Sequence, residues 1–566
     1  MPILPLFTIL CFFLFFSACN PVEEVKEKEP ARSPDYQSLN IPDRPNILWI
    51  VAEDLSPYLP MFGDSTIETP NLSRLAREGV VYTHFFSPSG VCAPSRAAIA
   101  TGMYPTRIGA NHMRTGPWYR FDVPEKVIQN YPTPVYEAMP PAGTHMMSTY
   151  LRRAGYYASN NAKEDYQFRR ELTAWDESSR QAHWRDREPG QPFFSIFNLE
   201  VTHESQIWAR AGDSLWVDPD LVVSDIPYLP NTEVALQDIR RMYSNIKIMD
   251  QQVGEILDQL EADGLLEETI VFWYADHGGP LPRQKRLLYD SGIRSPLIVR
   301  FPNQQLAGKR DSQLLNFIDL KPTVLSLAGL EPPENVDGQA WLGPYAGEEA
   351  RDYVFAASDR FDEKTDRLRA VRDHRFKLIR NYFPEKSYYL PVVYREQMPI
   401  MQELIRLRDA GELNEIQAQW FRPAKDTIEL FDTGSDPHEL NNLAGDTQYQ
   451  EKVEELKTAL DQWIAETGDV NILDEEKYLA TLWPDGKQPM VEAPVLTKAG
   501  NKIRLETSTP GASIGYQWAS GRDELTQRWK IYTEPLAWQG DSLFVRADRI
   551  GYLPSRLVGH KALRPG

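Results

Sequence analysis

The sequence predicts an α/β protein, a largely parallel sheet with helices packed on it, and three observations carry that expectation. Short, almost continuous apolar runs recur along the chain. They alternate with stretches of helical periodicity that have recognisable start and stop residues. The apolar runs also end in acidic or imidazole side chains, the pattern of a sheet whose carboxyl edge holds a ligand.

Asn46-Ile47-Leu48-Trp49-Ile50-Val51-Ala52 reads as a strand covered on both faces, and it ends at Glu53-Asp54. A helix follows, with Thr69 as N-cap, Pro70 at its first position, Leu72, Leu75 and Ala76 on one face and Gly79 as its stop. Cys92 opens another helix within Ser89-Gly90-Val91-Cys92-Ala93-Pro94-Ser95-Arg96. Phe193-Phe194-Ser195-Ile196-Phe197-Asn198-Leu199 is a second strand, ending near Thr202-His203. A long helix from about Glu233 to Ala262 carries Ile239, Met242, Ile246, Met249, Val253, Ile256, Leu257 and Leu260 at core spacing, with Gly264 as its stop. Thr269-Ile270-Val271-Phe272-Trp273-Tyr274-Ala275 is a third strand, ending at Asp276-His277-Gly278-Gly279, and Pro296 to Phe301 is a fourth.

Taken singly, such strand-end clusters read equally well as turn and cap residues. Together, Glu53, Asp54, Asp276 and His277 form a mainly oxygen donor set, which suits Ca2+, or Mg2+ as the alternative, better than zinc. The net charge of −19 excludes nucleic acid as a partner and leaves capture of an anionic substrate to local cations. At 566 residues the chain exceeds one hydrophobic core, so two or three domains are expected.

Two of the three cysteines, Cys11 and Cys19, fall in a leader whose run from Ile9 to Phe16 is apolar but too short to span a bilayer. Leu14-Phe15-Phe16-Ser17-Ala18-Cys19 resembles a bacterial lipobox, in which Cys19 is lipidated and becomes the mature N-terminus; Met1 to Thr8 lacks the usual basic residues, and ordinary secretion is the alternative. Residues 20–44, rich in Glu, Lys and Pro, read as a flexible tether. Cys92 is then the only cysteine left, so it has no disulfide partner in the chain.

The segment Cys92-Ala93-Pro94-Ser95-Arg96, followed by Ala97-Ala98-Ile99-Ala100-Thr101-Gly102, resembles the signature of the type I, formylglycine-dependent sulfatases. The likeness extends to about Ala444, through Pro45-Asn46-Ile47, Thr69-Pro70-Asn71-Leu72, Leu151-Arg152-Arg153-Ala154-Gly155-Tyr156, Asp276-His277-Gly278, Glu429-Leu430-Phe431-Asp432 and Asn442-Leu443-Ala444. It implies an alkaline-phosphatase-like mixed sheet flanked by helices over residues 45–345, with a smaller α+β subdomain over residues 346–470. It also implies a bound calcium ion and oxidation of Cys92 to formylglycine by a maturase. In that family the hydrated aldehyde supplies one hydroxyl to attack sulfur and a second to drive release of sulfate. Metal, cations and a proton donor stabilise the departing oxygen.

Carried over by motif, Cys92 is the nucleophile, Arg96 its anchor, Lys163 and Lys285 the sulfate-binding lysines and His203 the proton donor. Arg283 or Arg286 could take the place of Lys285. Glu53, Asp54, Asp276 and His277, with Cys92, match the metal positions, although the family more often has Asp and Asn where this chain has Glu53 and His277. Asp165 stands where many members have a histidine. His112, Asp165 and His183, the last beside Trp184, are expected to contact a sugar substrate.

Beyond residue 484 short alternating strands with Gly and Pro turns predict a small β-sandwich over residues 485–566, similar to the C-terminal module of some chitobiases. Its expected role is packing, with glycan contact as the alternative. The sequence thus points to a sulfatase acting on sulfated carbohydrate at a bacterial envelope, periplasmic or outer-membrane anchored and held to the membrane through its lipid alone. Three rivals stand beside it: a sulfamidase, a phosphate or phosphonate ester hydrolase of the same superfamily, and a non-catalytic glycan-binding lipoprotein.

Overall fold

The computed structural model describes residues 33–113, 115, 135–499, 502–539 and 542–561. The leader, Cys19 and the first part of the tether lie outside the described residues.

Nine strands form the main sheet: β1 (Asn46–Ala52), β2 (Val80–Phe86), β3 (Tyr157–Asn161), β4 (Glu177–Ser178), β5 (Phe193–Leu199), β6 (Thr269–Ala275), β7 (Arg294–Arg300), β8 (Lys309–Asp311) and β9 (Leu315–Asn316). Their order is β4-β3-β5-β1-β6-β7-β2-β8, with β9 also on β2. β4, β3, β5, β1 and β6 are parallel to one another, whereas β7 runs antiparallel to both β6 and β2. The fourth apolar run is therefore the reversed strand, which makes the sheet mixed.

β1 lies at the centre, and its alternation divides the core. Leu48, Ile50 and Ala52 face one cluster with the long helix Glu233–Ala262 and with α1 (Pro70–Glu78). Ile47, Trp49 and Val51 face a second cluster with α2 (Cys92–Thr101) and the helix Leu320–Leu327. The long helix keeps its expected bounds and buries the expected stripe from Ile239 to Leu260. α2 is buried along all ten residues, so it packs into the molecule rather than on it. Alanines at 93, 97, 98 and 100 allow that close approach.

A second, antiparallel sheet of β10 (Val354–Phe361), β11 (Lys364–Arg372), β12 (Phe376–Asn381) and β13 (Ile428–Asp432) packs Val371 and Leu378 against Leu456, Leu460 and Trp463 of the helix Gln450–Thr467. At the C-terminus, β14 (Val495–Ala499), β15 (Lys502–Glu506) and β18 (Leu536–Ala537) form one small sheet. β17 (Lys530–Ile531), β16 (Ser513–Ala519), β19 (Ser542–Asp548) and β20 (Val558–His560) form another. The two close over Ile503, Leu505, Leu543 and Val545 as a sandwich. No helix among the described residues is long and apolar enough to cross a membrane.

Candidate active site

The carboxyl ends of β1, β5 and β6 and the start of α2 converge. Beyond β1 the backbone turns through Asp54 at φ +44°, a left-handed conformation that aspartate tolerates better than most residues. Asp54 Oδ2 accepts from Lys285 Nζ at 2.6 Å and from the Glu204 N–H at 2.7 Å, while Oδ1 lies 3.0 Å from His277 Nε2. Beyond β6, Asp276 Oδ1 accepts from the Asp54 N–H at 3.1 Å and Oδ2 from Arg96 Nε at 3.0 Å. At the end of β5, Asn198 Oδ1 accepts from Arg96 Nη1 at 2.7 Å. Thr202 Oγ1 accepts from the Glu53 N–H at 3.2 Å.

Cys92 is the first residue of α2, and its Sγ lies 3.3 Å from His277 Nε2 and 3.6 Å from Asp54 Oδ1. Two ties hold it there. Ser95 Oγ donates to the Asp276 carbonyl, fixing α2 to the end of β6. The Arg286 N–H donates to the Gly90 carbonyl at 2.7 Å, which draws the Lys285 loop to the Cys92 turn. A side chain at Gly90 would stand 2.6 Å from the Leu287 carbonyl oxygen, so glycine is what permits that approach.

The charges are buried and mutually compensating. Burial raises the Asp54 carboxyl, but Lys285 with the His203 and His277 imidazoles outweighs it and holds the group well below the usual carboxylate range. Burial acts on Asp276 likewise, and Arg96 with His277 brings it to about 2. Burial, reinforced by Asp276, pushes the Cys92 thiol up. Burial and Lys285 press the His203 imidazole down to about 3, while Asp54 and Glu204 overcome burial to hold Lys285 firmly protonated. A buried charge with no partner costs several kcal/mol, roughly, so this network is stable only as a set.

Asp54, Cys92, Asp276 and His277 each place one donor atom within 4.8 Å of the others, and all four are buried. Two carboxylates held in ionised form face the Nε2 edge of one imidazole, 3.0 Å from Asp54 Oδ1 and 3.3 Å from Cys92 Sγ. That donor chemistry fits a divalent cation bound mainly through oxygen. Glu53 departs from the expectation: it is outside this group, and its Oε1 instead meets Lys163 Nζ at 2.8 Å and Arg96 Nη2 at 3.4 Å. The extra methylene relative to aspartate carries its carboxylate past the others to the cations.

Of the remaining expected residues, Lys285 rather than its neighbours faces the cluster. Arg286 is paired through both Nη groups with Glu204 at 2.9 and 2.8 Å, and Arg283 donates to the His438 and Glu439 carbonyls. His203 Nε2 lies 3.2 Å from Lys285 Nζ, and its Nδ1 lies 2.8 Å from Ser205 Oγ. Asp165 Oδ2 is 3.8 Å from Lys163 Nζ.

Two expected sugar contacts have a ring nitrogen engaged away from the cluster, although Met113, next to His112, packs on Val91 and Ala93 at either side of Cys92. His112 Nδ1 accepts from the Arg360 N–H at 3.2 Å, within the second sheet. His183 caps a short turn by accepting from the Arg185 N–H at 3.2 Å, with its other nitrogen 3.3 Å from Gln259 Oε1 at the end of the long helix. In both, a ring nitrogen is taken by backbone. Glu204 and Asn198 were not anticipated, although both sit at the end of the second apolar run, where a charged and an amide side chain were the available signal.

Buried cations gathered around Cys92, at the ligand edge of an α/β sheet, make a site suited to an anionic ligand. Residues 45–330 match the family model for sulfatases, and residues 283–420 match that for the C-terminal part of N-sulphoglucosamine sulphohydrolase. An ulvan-active sulfatase of Formosa agariphila is 47% identical, over 97% of this chain and 96% of that protein. The chain belongs to the sulfatase family and is a sulfuric ester hydrolase. Human N-sulphoglucosamine sulphohydrolase is 25% identical over 75% of this chain and 90% of its own length.

Among solved structures, one in complex with its substrate D-glucosamine-2-N,6-O-disulfate superposes with a TM-score of 0.53 at 17% identity, covering 75% of this chain and 98% of that one. The phosphonate monoester hydrolase of Agrobacterium radiobacter superposes at 0.50 with 17% identity, covering 75% and 96%. These likenesses establish the alkaline-phosphatase-like fold, as expected.

Proposed function

We propose that this enzyme removes sulfate from an ulvan-like sulfated polysaccharide, with formylglycine made from Cys92 by a maturase and with Ca2+ between Asp54, Asp276 and His277. One observation carries the reading: Cys92 Sγ stands where a formylglycine oxygen would stand, at a buried helix start 3.3 Å from His277 Nε2 and 3.6 Å from Asp54 Oδ1. The 47% identity to an ulvan-active sulfatase along almost the whole chain supports the choice of polymer. When bound, the cation supplies Lewis-acid stabilisation of anionic oxygen.

The chain's own groups do the rest. Arg96, held by Asp276 and Asn198, fixes the nucleophile from its own helix. Lys163 and Lys285 flank it and neutralise the sulfate oxygens, exchanging part of their pairing with Glu53 and Asp54 for the substrate. His203 protonates the leaving oxygen. Burial and then Lys285 hold its ring down to about 3 in the free protein, and an arriving sulfate offsets the lysine's part, which moves the ring upward toward the range a general acid needs. The leader at Cys19 supports a lipid-anchored envelope location.

A sulfamidase is the second reading, favoured by the match of residues 283–420 to the N-sulphoglucosamine sulphohydrolase C-terminal model. Sulfate release by the matured protein should be measured by ion chromatography on ulvan, ulvan oligosaccharides and N-sulfoglucosamine, alongside the Cys92→Ala variant. Release from the first two, abolished in the variant, is expected. Release from N-sulfoglucosamine alone selects the sulfamidase, and undiminished release by Cys92→Ala overturns the nucleophile.

A further inference from the structure

The C-terminal sandwich and the segment carrying Lys163 enclose a groove that sulfate chemistry alone does not require. After β3 the chain runs irregularly, with Asp165 and Gln167 at φ +54° and +62°. Asp165 turns Oδ2 toward Lys163 at 3.8 Å, and its Oδ1 is buried with no hydrogen-bond partner among the described residues. A cavity of about 460 Å³ opens at Asp165, with Phe168 and Leu172 on one wall and Arg546 and Pro554 of the sandwich on the other. A second cavity of about 590 Å³ shares Leu172 and continues between Ser178 and Gln527. The hollow therefore begins beside a sulfate-binding lysine and runs along the junction of two domains, a usual place for a ligand cleft.

The sandwich is fixed where it lines this groove. Arg153 Nη2 donates to Ser513 Oγ at 3.0 Å, Arg152 Nη2 to the Trp529 carbonyl at 2.9 Å, and the Leu172 N–H to Asp548. The groove's arginines differ in their pairing. Arg170 is matched by Glu164, and Arg169 lies 3.4 Å from Glu137. Arg546 Nε donates to the Ser555 carbonyl at 2.9 Å, and among the described residues no carboxylate lies within 4.0 Å of its guanidinium. Asp548, two residues along the same face of β19, is pushed up to about 8 by burial and by Glu171 against the lowering effect of Arg546, so near neutral pH it offsets that charge only in part. In a chain of net charge −19, a guanidinium with no ion pair among the described residues, in a groove that reaches Asp165 beside Lys163, is a local site for an anion.

We propose that this groove is the subsite for the sugar adjoining the one desulfated, and that Arg546 of the C-terminal sandwich binds the carboxylate or sulfate which that sugar carries. A guanidinium offers paired donors that match either group. The inference rests on the sulfated-polysaccharide reading above. It gives the sandwich a part in substrate binding, where the sequence pointed to packing.

Binding measured calorimetrically on the full chain carrying Cys92→Ala needs no turnover, so it separates this inference from the catalytic one. With ulvan oligosaccharides as probe, adding Arg546→Ala is expected to raise Kd about tenfold, with partial rescue by Arg546→Lys. Oligosaccharides with their carboxyls chemically reduced tell the two anions apart: loss of the Arg546 effect assigns a carboxylate, its persistence a sulfate. Equal Kd values with and without Arg546 on the intact probe, or no binding at all, would overturn the subsite. A wild-type chain that releases no sulfate while the Arg546 effect persists would instead sink hydrolysis alone. Circular dichroism and the unfolding temperature identify a variant that has failed to fold, and Arg546→Gln then takes its place.

Discussion

Each lysine of the candidate site is held by a carboxylate at the sheet edge: Lys163 by Glu53 at 2.8 Å and Lys285 by Asp54 at 2.6 Å. That pairing keeps both cations charged in a buried place, ready for an oxyanion, without the reorganisation water would need. Lys163→Met preserves the aliphatic stem and removes only the charge, and Arg96 remains 3.4 Å from Glu53 to share its carboxylate. Turnover of a sulfate ester should therefore fall by about 10²–10³ while the fold persists. Steady-state kinetics with a thermal melt on the same sample checks this, and a variant retaining a tenth of wild-type kcat/KM would exclude Lys163 from the sulfate pocket. The grouping at this scale was legible, because Cys92, Arg96, Lys163, His203 and Lys285 sit in motifs with few other readings, and the fold brings their side chains to one sheet edge. What was not legible is direction. Nothing in the residue order says that Glu53 reaches past Asp54 to Lys163, or that His183 turns back to cap Arg185.

Elements with a single strong period were readable before the fold was known. β1, β5 and β6 are almost continuous apolar runs, and the helix Glu233–Ala262 holds one stripe for most of its length. β2 and β3 were hidden for stated reasons. β2 carries Thr83 and His84 at a register shift between Tyr82 and Phe85, which breaks its alternation, and β3 is five residues with three polar ones. A second hidden feature is Asp238, near the start of the long helix, whose Oδ2 accepts from the Ile400 N–H at 2.7 Å at the start of the helix Pro399–Ala410. Burial pushes this carboxyl up to about 7, against the lowering effect of the Ile400 bond. Between the ordinary carboxylate value and about 7 the folded chain thus holds a proton that the unfolded chain has lost. The corresponding stability is present in acid and is lost as pH rises through about 7. Asp238→Asn keeps an acceptor oxygen and cannot titrate, so it should remove this decline and stabilise the protein at pH 8 by about 1–3 kcal/mol. Urea unfolding at pH 5 and 8 tests it, and an unchanged pH slope would show that Asp238 is ionised in the folded chain.

At the scale of the whole molecule, the question is whether the C-terminal sandwich is a passenger or a wall of the site. Its strands were legible from short alternation, but its seat on the main sheet was not, since the contacts join residues hundreds of positions apart. Gly551 marks that seat. It adopts φ +84°, and a Cβ there would stand 2.8 Å from the Ala138 carbonyl oxygen and from Met139, so the two backbones touch. Gly551→Val adds a left-handed penalty of about 1–2 kcal/mol and overpacking of about 1–3 kcal/mol. Gly521 is the matched control, with φ −153° and nothing within 4 Å of its Cβ position, and valine there should cost under about 0.5 kcal/mol. If the sandwich were a passenger, Gly551→Val would lower the unfolding temperature and leave oligosaccharide affinity as it is in the Cys92→Ala chain. Because Arg546 lies five residues before Gly551, on the strand that the same turn anchors, displacement of the seat also moves the guanidinium from the groove. Stability and affinity should therefore fall together in Gly551→Val and stay together at wild-type values in Gly521→Val. A loss of stability without loss of affinity would confine the sandwich to packing.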